Sequence, residues 1–402
     1  MINVLYIGPN ASEWAQYNTP VSLAAAKWSR GFQSALSKRC NLVTLTCTYH
    51  YPWPKGHKVW VGDDPKCFPS EWRHVAVSYP AIKYVREWWL KMAFAKEARK
   101  VIEREKIDTV LIYNCYVSWQ VPTLRAIKEA NPNVKVYPII LDGDDPRKDD
   151  WGWLKRAAQY SDGFIPLSWW VHEHITKKTG KVSYHFDGGS DGWRGVAQCQ
   201  GKVSGPTAAK SKYLVHTGAL DQWRGLDFMT EVVSKLTARR QDVRFVFLGK
   251  SSENVLKEKF KDNPYVEVPG FVTEAEMAQY CNAADVLLNV RDPNHPDNIL
   301  NYPSKLPHYL SFGRPVVSTR LQSLSPDYSE VVEFAADDTV DSFLQKVDEV
   351  LAWSDDQKNK KYENIKAWFA QRKTWNVMVD RLVESLLNEN VVGVNFMKSL
   401  RT

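Results

Sequence analysis

Two stretches of the chain gather groups that can do chemistry. In the first, Asp142-Gly143-Asp144-Asp145 sets three carboxylates within four residues, directly after the apolar run VKVYPIIL at 134–141. Crowded carboxylates raise one another's pKa. One of Asp142, Asp144 and Asp145 is then suited to take a proton from an acceptor hydroxyl as a general base; a solvated acidic turn is the idle alternative. In the second, Tyr302-Pro303-Ser304-Lys305 leads into a helical pattern in which Leu306, Tyr309 and Leu310 share one face. Pro303 loses nothing in a first helical turn, where an N–H has no intrahelical partner. A helix start offers unbonded N–H groups and a positive dipole end. With the Ser304 hydroxyl and the Lys305 ammonium, that is equipment for holding a phosphate. Gly249-Lys250-Ser251 suggests a P-loop, but the upstream glycine would fall at 244, where the chain has Arg244. The P-loop is excluded, and Lys250 remains a cation at a strand end that can face a diphosphate.

These groups need a frame. Apolar runs predict strands at 2–7, 42–46, 108–113, 134–141 and 163–170, with helices at 24–37 and 81–106 and another ending near Ala130. The pattern restarts with strands at 213–216, 243–248, 266–272 and 284–290, and helices at 227–239 and 274–283. Gly313, with Pro315 close behind, can close the helix after Lys305. Between the halves, residues 199–212 are rich in Gly, Ser, Pro, Ala and Lys and read as a linker. Strand–helix alternation on both sides predicts an α/β protein of two doubly wound domains. Ligands of open α/β sheets lie beyond the carboxyl ends of the strands. The loop from Gly8 through Asn10 to Trp14 is therefore a candidate wall of the active cleft.

The segment Pro303-Ser304-Lys305-Leu306-Pro307-His308-Tyr309-Leu310, followed by Gly313-Arg314-Pro315-Val316-Val317, resembles the donor-binding segment of family-4-like GT-B glycosyltransferases. The family pattern carries Glu, a ribose contact, where this chain has His308. Thr217 to Gly225 resembles the family's diphosphate loop. There Gly218 lets the backbone approach a phosphate, and Arg224 takes the usual place of Lys. Ala219 stands where many relatives have Arg. The resemblance also implies a nucleobase site at Phe271 and Val272. It implies GT-B architecture, with two Rossmann-like domains facing an interdomain cleft, and makes the loop of Gly8, Asn10 and Trp14 the acceptor side of that cleft. The divisions expected are 1–195, a linker at 196–212, 213–375, and a helix at 376–402 that packs back toward the first domain, with Trp353, Trp368 and Trp375 as anchors. Donor-binding residues would be Gly218, Arg224, Lys250, Phe271, Val272, Tyr302, Pro303, Ser304, Lys305 and His308. The implied activity is metal-independent transfer from a nucleotide-diphosphate sugar, a UDP- or GDP-sugar, to a hydroxyl of a glycan, lipid-linked sugar or other glycoconjugate. The nucleotide sugar is a co-substrate, and no cofactor or resident metal is expected. Asp142-Gly143-Asp144 also fits the D-x-D metal motif of GT-A enzymes. Two readings stand beside this one: a sugar-nucleotide 2-epimerase of the same fold, and a non-catalytic carbohydrate-binding protein.

Bulk properties set the surroundings. The 402 residues carry a net charge of +7 and include 17 Trp. A basic balance suits anionic partners such as nucleotide sugars or an acidic membrane surface. Six scattered cysteines without a C-x-x-C pair argue against structural zinc and a disulfide framework. With no signal-peptide pattern at the N-terminus and no spanning segment, a cytoplasmic location is expected. Peripheral contact at the inner face of the membrane would run through the basic, aromatic helix at 81–106, which carries Trp88, Trp89, Met92 and Phe94. A core-facing stripe is the alternative for that helix. Tyr49 to Trp72, crowded with Tyr, Trp, His and Pro, reads as an acceptor-side loop. Nucleic-acid binding would need more interleaved basic and aromatic patches than this helix offers.

Overall fold

The computed structural model describes residues 1–115, 118–142, 151–195, 211–221, 224–249 and 253–387. Asp144, Asp145, Lys250, residues 196–210 of the linker expected at 196–212, and residues 388–402 lie outside the described residues. The chain divides into two compact units. Unit 1 holds Met1–Gly189 and the chain from Trp375 onward; unit 2 is Ser190–Thr374.

Unit 1 opens with β1 (Asn3–Ile7), α1 (Glu13–Asn18), α2 (Leu23–Leu36) and β2 (Asn41–Thr46). The aromatic stretch after β2 contributes β3 (Trp60–Val61); β4 (His74–Ala76) and β5 (Tyr79–Pro80) then lead to α3 (Val85–Glu105). The sequence predicts this helix from residue 81. It begins four residues later, because Tyr79–Pro80 pairs with β3 and Ile82 bridges to Trp53. Next come β6 (Thr109–Tyr113), α4 (Gln120–Ala130), β7 (Lys135–Ile140), α5 (Gly152–Ala158), β8 (Gly163–Pro166), α6 (Trp169–Thr179) and β9 (Val182–Ser183). Trp169 and Trp170, expected in a strand, begin α6, because the Ser168 hydroxyl caps it by accepting from Val171 N. The main sheet has the order β4-β2-β1-β6-β7-β8-β9, with parallel pairing throughout. Leu5, Ile7, Val110, Ile112 and Ile139 are fully buried, as in a sheet covered on both faces.

Unit 2 runs β10 (Lys212–Thr217), α7 (Leu226–Arg239), β11 (Val243–Leu248), α8 (Glu253–Lys259), β12 (Val266–Gly270), α9 (Glu274–Ala283), β13 (Val286–Asn289) and α10 (Asp297–Leu300). It continues with α11 (Lys305–Leu310), β14 (Val316–Ser318), β15 (Val332–Phe334), α12 (Val340–Leu351) and α13 (Asp355–Arg372). Its parallel sheet has the order β12-β11-β10-β13-β14-β15. Ser190 to Gly195 belong here: Arg194 N donates to Ser311 O at 2.7 Å, and the Trp193 ring packs against Tyr362 and Phe369. Trp368 is buried, and Trp353 packs at the edge of the core formed by α7, α12 and the sheet. The last described helix, α14 (Trp375–Leu387), packs on α2 of unit 1. No described helix is long and apolar enough to cross a membrane.

Candidate functional site

Strand order in unit 2 reverses between β10 and β13, which neighbour each other although they are far apart in sequence. The carboxyl ends of two such strands flank the usual ligand crevice of an open sheet. Gly218 follows β10 with φ +84°, a left-handed conformation that costs glycine little. Two residues beyond β13, Arg291 is only 7 % exposed, and its Nη1 donates to Asn298 Oδ1 at 3.2 Å. Its own backbone is clamped by Thr319, which accepts from Arg291 N at 3.1 Å and donates to Arg291 O at 2.8 Å. Lys305 enters from the first turn of α11. A Cβ built on Gly218 would lie 3.9 Å from Lys305 Nζ, so the ammonium lies over the glycine turn. Arg224, ahead of α7, pairs with Asp221.

The electrostatics are those of a site short of negative charge. Burial, then Arg291 and Arg224, hold the Lys305 pKa well below its ordinary value, with Asp221 the opposing influence. Burial, then Arg224, lower Arg291 to about 10. His216, inside β10, sits under the lysine. Its Nδ1 lies 3.1 Å from Leu288 O and its Nε2 3.1 Å from Lys305 Nζ. Donation from Nδ1 to the carbonyl leaves Nε2 as the acceptor for the lysine. Burial and Lys305 hold the His216 pKa well below its ordinary value, which fits that neutral tautomer. Lys305 thus lies over the Gly218 turn with Arg291 and Arg224 close enough that their charges oppose its own, and an anion there would be attracted by all three.

Other expected donor residues fall in different roles. Ser304 is exposed at the start of α11 and makes no side-chain cap. With six residues, α11 carries little macrodipole, so side-chain cations rather than the helix end dominate here. Tyr302 is buried, its hydroxyl bonded to that of Tyr328, and Pro303 is buried beside it. The His308 ring packs edge-on against Phe312 at 5.0 Å. Phe271 is 67 % exposed after β12, and Val272 is half-buried. Sequence reasoning missed Arg291 and His216. Arg291 had a signal, as the first charged residue after a predicted strand; His216, inside a strand, had none.

Unit 1 has its own reversal, between β1 and β6. Gly8 follows β1 with no room for a side chain: a Cβ would stand 2.5 Å from Tyr113 Cβ. Asn10 is 1 % exposed, and neither its Nδ2 nor its Oδ1 has a hydrogen-bond partner among the described residues. A buried amide without partners is costly, so it marks a place where a polar ligand would be bound favourably. Trp14, on α1, is about half exposed. Asn114, with φ +63° after β6, accepts from Leu141 N at 2.8 Å and Asp142 N at 3.2 Å. Its Nδ2 donates to Asp142 Oδ2 at 3.4 Å. The Asp142 side chain is exposed, yet desolvation by the strand ends around it pushes the carboxyl above its ordinary pKa, partly offset by that hydrogen bond. Its backbone is fixed by Asn114 at a neighbouring strand end.

Residues 211–352 match the family model of group 1 glycosyl transferases. The fold is that of GT-B glycosyltransferases. The chain is similar to the Anabaena protein Alr3699/HepE solved in complex with UDP, at 12% identity and TM-score 0.64, covering 96% of this chain and 100% of that one. It is also similar to sucrose-phosphate synthase from Thermosynechococcus elongatus, at 11% identity and TM-score 0.65, with 96% and 100% covered. A glycosyltransferase from Rickettsia africae gives 12% identity and TM-score 0.66, with 97% and 99% covered. No curated protein matches the chain in sequence.

Proposed function

We propose that the protein transfers a sugar from a nucleotide-diphosphate sugar, bound in unit 2, to a hydroxyl of a glycan or lipid-linked acceptor. The observation that carries this reading is Lys305 over the Gly218 turn, with Arg291 and Arg224 close enough to oppose its charge. In glycosyl transfer the bond from the anomeric carbon to the diphosphate breaks, and negative charge builds on the leaving group. Preorganised cations are most effective where charge develops. Their combined charge does the work a divalent ion would otherwise do, so the reaction proceeds without metal. Phe271 offers its exposed ring to the base, and His308 a hydrogen bond to the ribose. A UDP-sugar is the first donor to try, since the similar Anabaena protein was solved with UDP. The acceptor hydroxyl attacks the anomeric carbon and loses its proton. Asp142, with Asp144 and Asp145 as its sequence neighbours, is the group proposed to receive or orient that proton, and Asn10 to hold an acceptor hydroxyl.

The test is calorimetric titration with UDP, GDP, ADP and dTDP, with and without EDTA, on wild type, Lys305→Ala and Arg291→Ala. One diphosphate should bind regardless of EDTA. Each variant should weaken it about ten- to hundredfold, the worth of a lost charge-assisted hydrogen bond. If no nucleotide binds, or if both variants bind as wild type does, the reading is wrong.

A further inference from the structure

Among the described residues, nine of the sixteen exposed large hydrophobic side chains fall between Tyr51 and Met92. The fold brings them together. The stretch after β2 is tied to the strand ahead of α3: Trp53 N donates to Ala81 O and Ala81 N to Val59 O, each at 2.7 Å. Trp60 stands edge-on to Trp89 at 5.2 Å, and Trp89 Nε1 donates to Ser78 O at 3.0 Å. Along α3, Val85, Trp88 and Met92 recur at helical spacing on the outer face, and Tyr84 precedes them. Tyr84 is 74 % and Trp88 59 % exposed. The opposite face of the same helix, Leu90, Phe94, Ala98, Val101 and Ile102, already fills the core. The outer stripe is therefore not explained by packing among the described residues.

Lysines border the apolar surface. Lys55, Lys58, Lys83 and Lys91 are exposed around it, with Glu87 the exposed acid among them on α3. Lys55 Nζ lies 4.3 Å from the Tyr51 ring centre, and Lys83 Nζ 5.1 Å from that of Tyr84. We infer that this platform docks the protein on an anionic lipid bilayer. The aromatic and aliphatic side chains would enter the headgroup–acyl boundary while the lysines meet lipid phosphates. Trp and Tyr favour that boundary, and a polar helix with an apolar stripe lies along it. The composition weighs against other occupants. Val59, Val85 and Met92 offer a sugar no hydrogen bond. A second copy in a twofold contact would press like-charged rims together. The inference does not depend on the donor site. The sequence attributed membrane contact to the helix at 81–106; the fold assigns it to the first turns of α3 together with the 51–60 segment, while Phe94 is core.

The test is co-sedimentation of the full chain, without nucleotide, with vesicles of phosphatidylcholine alone or mixed with phosphatidylglycerol. Wild type should partition onto the anionic vesicles and be released by salt. Each Lys→Ala change at 55, 58, 83 or 91 should lose about fivefold, and Trp53→Ala/Trp88→Ala should abolish partitioning. All these side chains are exposed, so circular dichroism and unfolding midpoints should stay at wild-type values. Quenching of Trp fluorescence by brominated lipid should fall in Trp88→Phe even if its partitioning survives. Failure of wild type to partition, or partitioning unchanged in the Trp and Lys variants, overturns the inference. So does a dimer in sedimentation velocity that the double Trp variant dissolves, which would assign the surface to a second copy. Saturable binding of a soluble oligosaccharide lost in the same variant would assign it to a glycan.

Discussion

Lys305 carries a charge that its surroundings resist. Burial and two arginines lower its pKa, so the free protein holds this proton more weakly than an ordinary lysine does. A bound diphosphate reverses the local potential and raises the pKa again. Binding should therefore take up a proton, and affinity should fall as pH rises from the depressed free value toward the higher bound value. Titrations in two buffers of different ionisation enthalpy measure that uptake, which should vanish in Lys305→Met. Equal heats in both buffers through the alkaline range would show that Lys305 is already fully charged and defeat the expectation. Lys305 was legible in the sequence because it sits in a local pattern with Pro303 and Gly313. His216, which receives the lysine, was not legible. Its role arises from a partner 89 positions away, which only the folded β10–α11 contact supplies.

The alternation of apolar runs with helical patterns placed most strands and helices, because each run must be buried in a parallel sheet and reads as such on its own. Missed boundaries follow from competing local bonds, as where Ser168 caps α6 or β5 delays α3. The glycines at strand ends tie element to site. Gly249, after β11, has φ +150°, and a Cβ there would lie 2.5 Å from Gly218 O. Its N–H donates to Gly270 O at 2.8 Å, and Gly218 N donates to Leu248 O at 2.7 Å. Two loops thus cross in near contact, and Gly249→Ala must displace the Gly218 turn over which Lys305 lies. The expected cost is about 1–3 kcal/mol of stability, the usual strain of a residue held in a sparse backbone region, together with weakened diphosphate binding. Denaturant midpoints and titration of the purified variant measure both. Normal binding in a destabilised variant would mean that the turn does not need its position for the site.

The chain leaves unit 1 at Gly189 and returns to it at Trp375. The Gly- and Ser-rich stretch that reads as a linker starts ten residues later. The physical anchor is Trp375. Its indole lies directly on Gly31, and the Gly189 backbone packs against it; a Cβ on Gly189 would stand 2.8 Å from Trp375 Cα. Trp28 meets the ring edge-on at 5.7 Å, with Phe186 also adjacent. Arg39 reaches across to Asp380 and Asn376 on α14. The returning helix therefore completes the core of unit 1. Trp375→Ala leaves a cavity in a ring cluster with little freedom to collapse, at an expected cost of about 3–5 kcal/mol. Two units need not unfold as one transition, so a single midpoint is a poor readout. Hydrogen exchange resolved by peptide should show lost protection in β1, β2 and α2, with β10 and β13 retained. Protection lost first in unit 2, or lost equally in both, would mean that the Trp375 cluster does not confine its stabilisation to the unit it completes.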